Sequence, residues 1–125
     1  MQEKIGYHKL TAFQKSKQLV LLIYKLTKIF PKEEQFSLVS QMRRAVISII
    51  ANLVEGYSKS SSKEYSRFLD IAIGSANELK IYLEISLDLN YLNVNNYNEA
   101  EKLLTEVRKL LYSYQKAINM RVKLE

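Results

Sequence analysis

Apolar residues recur at helical spacing along almost the whole chain, and four separate stretches carry the pattern. The clearest is Gln41–Gly56, where Met42, Ala45, Val46, Ile49, Ile50, Leu53 and Val54 repeat at steps of three and four. Beside that apolar stripe runs a polar one: Arg44, Ser48, Asn52, then Glu55 or Gly56, aligned along one helix face. A helix this apolar is expected to be largely buried. Its polar ladder therefore needs partners on another helix, in another subunit or on a ligand.

The first helix is expected over residues 12–30, with Thr11 as its N-cap and Phe13, Leu19, Val20, Leu22, Ile23, Leu26 and Ile29 among its apolar positions. Within it, Leu19–Tyr24 is apolar all round, more than a helix with one buried face requires. The surplus implies an interaction patch, most economically self-association. Pro31 ends this helix, and Glu33 and Glu34 suit the positive end of the next one.

The second helix is expected over 36–57, with Gly56 as its terminator. Ser61-x-x-Glu64 is a capping box that opens a third helix over 62–90. The core face of that helix includes Tyr65, Phe68, Leu69, Ala72, Ile73, Ala76, Leu79, Tyr82, Leu83, Ile85 and Leu89. Gly74 in its middle costs about 1 kcal/mol against alanine, so a closely approaching neighbour is expected there. Asn96-x-x-Glu99 resembles a second capping box, opening a fourth helix over 97–121. The seam of that helix is Ala100, Leu103, Leu104, Val107, Leu110, Leu111, Tyr114, Ala117 and Ile118. Residues 1–10 read as a loosely held lead-in. Short connections between four long helices specify an all-α fold in one domain, an antiparallel up-down-up-down four-helix bundle.

Composition sharpens this picture. One proline and three glycines in 125 residues favour long helices. The absence of cysteine removes disulfides, thiolate metal sites and cysteine nucleophiles, and fits a reducing compartment. The N-terminus has no apolar signal core, and no apolar run approaches the roughly 20 residues of a membrane span, so a cytoplasmic protein without membrane contact is expected.

The net charge of +6 is unevenly placed. Residues 1–63 hold eleven Lys and Arg against four acids; residues 64–125 hold eight against nine. A basic half suggests an anionic partner, most simply RNA or DNA. The alternative is a solvated lysine-rich surface. The candidate nucleic-acid-binding set is Lys17, Lys25, Lys28, Lys32, Arg43, Lys59, Lys63 and Arg67. The first four fall near one face, and the last three follow steps of four across a helix start. No RNA-binding signature of the RRM or KH type is present.

Arg43 and Arg44 are neighbours and point about 100° apart, so they are not expected to share a role. Arg44 lies on the polar stripe and is assigned to pairing with Glu55 or Glu78; Arg43 is expected to face out. Ser48, Asn52, Gly74, Ser75 and Glu78 could line a ligand pocket between the second and third helices. The preferred reading is a packed crossing whose polar groups satisfy one another.

Catalysis finds little support. The single histidine, His8, reads as an exposed lead-in residue and rules out the paired Glu-x-x-His di-iron signature. No Ser-His pair, phosphate loop or zinc cluster occurs, so no catalytic residue, metal or cofactor is expected. Tyr24, Tyr65, Tyr82 and Tyr114 fall on apolar faces and read as core or interface.

Several motifs together resemble the four-helix-bundle proteins encoded in intervening sequences of bacterial 23S rRNA genes. They are Phe13-x-x-Ser16-x-x-Leu19-Val20, Ile23-Tyr24-x-Leu26-Thr27 and Phe30-Pro31, followed by Leu38-x-x-Gln41-x-Arg43-Arg44-Ala45-x-x-Ser48-Ile49-x-Ala51-Asn52-x-x-Glu55-Gly56. Phe68-Leu69-x-Ile71-Ala72-x-Gly74-Ser75-x-x-Glu78-Leu79 completes them. The resemblance spans roughly residues 12 to 92. Ile50 departs from a frequent proline, and Leu53-Val54 from a frequent Ile-Ala. The resemblance implies a bundle that assembles into a homo-oligomeric ring, typically a pentamer. The chain is also similar to the accessory protein of diversity-generating retroelements, a pentameric barrel whose basic surface binds nucleic acid and a reverse transcriptase. Two roles follow as expectations: sequence-independent nucleic-acid binding, RNA above all, or a scaffold that docks a protein partner such as that enzyme.

Overall fold

The computed structural model describes residues 6–124. A 3-10 turn at Gly6–Lys9 leads into α1 (Thr11–Thr27), and a second one at Lys32–Glu34 precedes α2 (Leu38–Tyr57). Then come α3 (Ser62–Asp88) and α4 (Val94–Leu124), with no strand among the described residues. Each helix packs on its sequence neighbours and α1 closes on α4, whereas the diagonal pairs α1/α3 and α2/α4 make no close backbone approach. Cross-helix partners run in opposite residue order, as an up-down-up-down arrangement requires. Met42 meets Ser86, Arg44 meets Glu78, Ser48 meets Ser75, and Gly56 meets Phe68.

Leu19, Ile23, Met42, Ile49, Leu53, Leu69, Leu79, Leu83, Leu104 and Leu111 fill the centre, fully buried. These are the positions that periodicity marks as inward. Ile85 and Leu89, expected in the core of α3, lie exposed at its last turns. On α1, Leu19 and Ile23 are buried while Leu21 is 63% exposed, so part of the surplus apolar face has no cover among the described residues.

Helix ends depart from expectation for identifiable reasons. Thr11 is the first helical residue and not the cap; Leu10 stands at that position without a side-chain bond, and the Ala12 N–H donates to the Tyr114 hydroxyl at 3.4 Å. Helix α1 stops at Thr27, three residues early. Proline disfavours helical geometry at the residue before it, and Phe30 N–H closes a tight turn to Thr27 O. Phe36 lies outside α2 and is 90% exposed, because Ser37 starts the helix with its hydroxyl turned to Glu34.

Helix α3 opens as expected, with Ser61 Oγ accepting from Glu64 N–H. It closes two residues early, at Asp88. Asn90 adopts φ 63°, its N–H donates to Leu87 O, and Tyr91 N–H donates to Ser86 O, the paired bonds of a Schellman stop. Helix α4 begins three residues early because Asn93 Oδ1 caps the Asn96 N–H at 2.7 Å, so the expected box at Asn96 and Glu99 is not the start.

Neither internal glycine plays its expected role. Gly56 sits inside α2, buried, with no positive φ; Ser58 caps the helix and donates its hydroxyl to Glu55 O. A Cβ at Gly56 would lie 2.9 Å from Phe68 Cβ, so close approach to α3 explains this glycine. A Cβ at Gly74 would meet nothing within 4 Å, so none of the described residues is the close neighbour expected there.

The first five residues of the expected lead-in lie outside the described residues. Gly6–Lys9 is ordered against the bundle. His8 is half-buried rather than exposed, stacked on Tyr7 at 4.2 Å and edge-on to Phe13 at 5.3 Å.

Candidate functional site

Two sets of polar residues emerge, a crossing between α2 and α3 and a basic surface split between the two ends of the bundle. The crossing follows the polar stripe of α2, which lies at the rim of the α2–α3 groove and not in its depth. Arg44 Nη2 donates to Glu78 Oε2 at 2.6 Å, and its Nε donates to Gln41 Oε1. Tyr82 donates its hydroxyl to the same Glu78 oxygen at 2.7 Å. The hydrogen bond from Arg44 and then that from Tyr82 hold the Glu78 carboxyl below the usual glutamate range. That carboxylate in turn pushes the Tyr82 phenol up. Ser48 and Ser75 hydroxyls lie 2.7 Å apart, and Asn52 Nδ2 donates to Ser48 O at 2.8 Å. Glu55 is exposed and pairs with Lys59 at 3.5 Å.

These polar groups find partners within the chain, and Glu78 is the partner of Arg44. Gln41 and Tyr82 belong to this network although neither was singled out for it. Gln41 stands one helical turn before Arg44, which is the signal that could have found it. Tyr82 reads as core because its ring is apolar, and only its hydroxyl reaches the groove.

The two arginines reverse their expected exposure. Arg44 is the exposed one. Arg43 is half-buried against α1, where Nε donates to Thr27 Oγ1 at 3.0 Å and Nη2 to Tyr24 O at 3.4 Å. Its guanidinium lies 4.5 Å from the centre of the Tyr24 ring.

The other basic residues divide between the ends. Lys25, Lys28, Lys32 and Arg43 lie near the head of the bundle, where α1 passes to α2. Lys59, Lys63 and Arg67 lie at its foot, where α2 passes to α3. Along α2 the sixteen residues from Arg43 to Lys59 separate the groups by about 24 Å. Lys17 is exposed on the foot half of α1, beside a hollow lined by His8, Phe13, Gln14, Gln18 and Leu21.

Acids distinguish the two groups. At the foot, Arg67 pairs with Glu64 at 2.8 Å, which holds that carboxyl low, and Lys59 pairs with Glu55. Lys59 and Arg67 also both lie over the Phe68 ring, at 5.2 and 4.9 Å. Lys63 shares a hollow with Glu64 and Asp70. At the head, Lys25, Lys28 and Lys32 have no ion pair among the described residues, nor has Lys17.

Among the described residues no three His, Cys, Asp or Glu side chains gather as a metal site, and no helix is long and apolar enough to cross a membrane.

Comparison with known proteins agrees with this architecture. The chain is similar to a crystal structure of a protein of unknown function from the S23 ribosomal protein family of Bacteroides thetaiotaomicron VPI-5482. The TM-score is 0.78 at 30% identity, covering 84% of this chain and 95% of that one. No curated protein matches. The family model described as 23S rRNA-intervening sequence protein matches residues 8–113, most of α1 through α4. The chain belongs to the 23S rRNA-intervening sequence protein family.

Proposed function

We propose that the protein is a non-catalytic homo-oligomer that binds nucleic acid, RNA above all, through its basic surface without reading sequence. The observation that carries this reading is a run of exposed cations without an ion pair along α1 and the turn after it. Lys17, Lys25, Lys28 and Lys32 are exposed and have no acidic partner among the described residues. Unpaired lysines near one another repel, and a polyanion relieves that repulsion while releasing its own counterions.

Self-association is supported by apolar side chains that the single chain leaves in water. Leu21 is 63% exposed on α1, and Ile71, Ile81 and Ile85 lie on the outer stripe of α3 that also carries the open Gly74. A ring of five copies, the assembly the family resemblance implies, would multiply the basic surface fivefold. The same apolar stripe supports the second reading, a scaffold that docks a protein partner such as a reverse transcriptase.

One experiment separates the two. Native mass in solution is measured first, and binding to a generic RNA hairpin is then titrated with salt on the same sample. An oligomer whose affinity falls steeply with salt supports the nucleic-acid reading. An oligomer indifferent to RNA at low salt sinks it and leaves the scaffold. A stable monomer sinks the assembly.

A further inference from the structure

At the head of the bundle, Lys28, Lys32, Arg43 and Gln35 line a hollow of about 290 Å³ whose apolar wall includes Phe30 and Val39. No carboxylate lines it. The turn beside it contains two acids, neither of which lines the hollow, and one of them is engaged elsewhere. Glu34 accepts from Ser37 Oγ at 2.6 Å and from the Tyr91 hydroxyl at 2.8 Å. Glu34 thus serves the contact with the α3–α4 connection, and Lys28 and Lys32 line the hollow with no ion pair among the described residues.

Arg43 is held differently from the lysines. Thr27 is buried and donates its hydroxyl proton to Ile23 O at 2.7 Å, which leaves its oxygen to accept from Arg43 Nε. Tyr24 supplies a second acceptor, its carbonyl, and a ring face. Of the five guanidinium N–H donors, two are used this way and three, centred on Nη1, remain. The plane of the group is fixed by contacts within the chain before any ligand arrives. A guanidinium held in one plane with its terminal donors free is the arrangement that takes two oxygens of one tetrahedral anion. Two mobile lysines beside it supply further positive charge at little geometric demand.

We infer that this hollow seats one phosphate group per chain, with Arg43 as the fixed fork and Lys28 and Lys32 as flanking charges. The source of the phosphate, a strand of nucleic acid, rests on the reading above; the seat itself does not. The seat narrows that reading from a diffuse basic surface to a defined contact at the α1–α2 corner. Lys25 and the foot cations fall outside it. Free phosphate presents the same chemistry, so the test includes it.

The test uses the full chain and three variants, with RNA affinity measured against salt. Arg43→Lys keeps the charge and loses the fork, so affinity falls about tenfold while the salt slope stays unchanged. Lys28→Ala/Lys32→Ala removes two charges that make no contact the fold depends on, and lowers the salt slope by about 1.4–1.8. Lys63→Ala, at the foot, lowers affinity about twofold at most. Equal losses in all three variants would overturn the seat and leave the nucleic-acid reading standing.

A second arm titrates inorganic phosphate while following the Arg43 Nε–H resonance by NMR. A saturable shift that disappears in Lys28→Ala/Lys32→Ala supports the seat even if RNA does not bind at all, a result that would end only the nucleic-acid reading. No shift of Arg43 in the unaltered chain would overturn the seat.

Discussion

The head and the foot of this bundle are built from the same residue types and end in different chemistry. Each has three or more Lys and Arg close to a helix connection, and each has acids within a few residues. At the foot the acids face the cations. Glu64 takes Arg67, Glu55 takes Lys59, and Phe68 lies under both cations, so two of the three foot cations are paired and packed. At the head Glu34 is drawn to Tyr91 and Ser37, and Lys28 and Lys32 keep their charge exposed. What a basic patch can bind is therefore decided by where neighbouring acids are tethered, more than by how many lysines it holds.

The strongest way to break the contrast is at Gly56. A side chain there collides with Phe68 Cβ and with Tyr65, the surface on which the foot cations rest. Gly56→Leu should lower unfolding free energy by about 1–3 kcal/mol in urea titration and loosen the foot while leaving the head contacts intact. A neutral result would mean that α2 and α3 are not held this close.

Next in size is the pair of arginines. Arg43→Ala removes a charged hydrogen bond to Thr27 and the stacking on Tyr24, and should cost about 1–2 kcal/mol. Arg67→Ala removes an exposed pair and an exposed ring contact, and should cost less than Arg43→Ala. Thermal unfolding of both variants checks this, and equal losses would contradict the distinction between a built-in guanidinium and a surface one.

Gly74 lies between the two ends. In an isolated chain Gly74→Ala should stabilise by up to about 1 kcal/mol, since alanine is the better helix former and meets nothing. If copies of the chain close on this stripe, the same change should weaken the assembly, seen as a dilution-dependent fall in native mass.

The smallest effect concerns pH. Glu78, Glu34 and Glu64 all have carboxyls held below the usual range by hydrogen-bond partners: Arg44 then Tyr82, Ser37 then Tyr91, and Arg67. A lowered folded pKa means that the stabilisation is complete above the ordinary glutamate range and is lost as pH falls through it. Urea midpoints should therefore drop on acidification from neutral pH, and Glu78→Gln should reduce that drop. An unchanged pH profile in the variant would remove Glu78 from the account.

Much of this was readable from residue order. Four helices, the inward leucines and isoleucines, the Ser61 cap and the polar stripe that carries Arg44 follow from spacing alone, because a helix places residues three and four apart on one face wherever it occurs. The ends were less legible. Asn90 stops α3 by a left-handed turn and Asn93 starts α4, yet both lie in a stretch that also holds Asn95, Asn96 and Asn98, where several residues could serve equally well. The exposures of Arg43 and Arg44 were reversed for a related reason. Periodicity says that neighbours point apart, but not which direction meets α1.

The sequence by itself determined the class of fold, the inward face of each helix and the surplus of positive charge in the first half, since these depend on local spacing and composition. Only the tertiary structure decided which charges stay free. Pairing depends on contacts between residues as far apart in sequence as Glu34 and Tyr91, or Arg44 and Glu78. A carboxylate can answer only the partner that the packed helices bring within a few ångströms of it, and that distance is written in no single stretch of the chain.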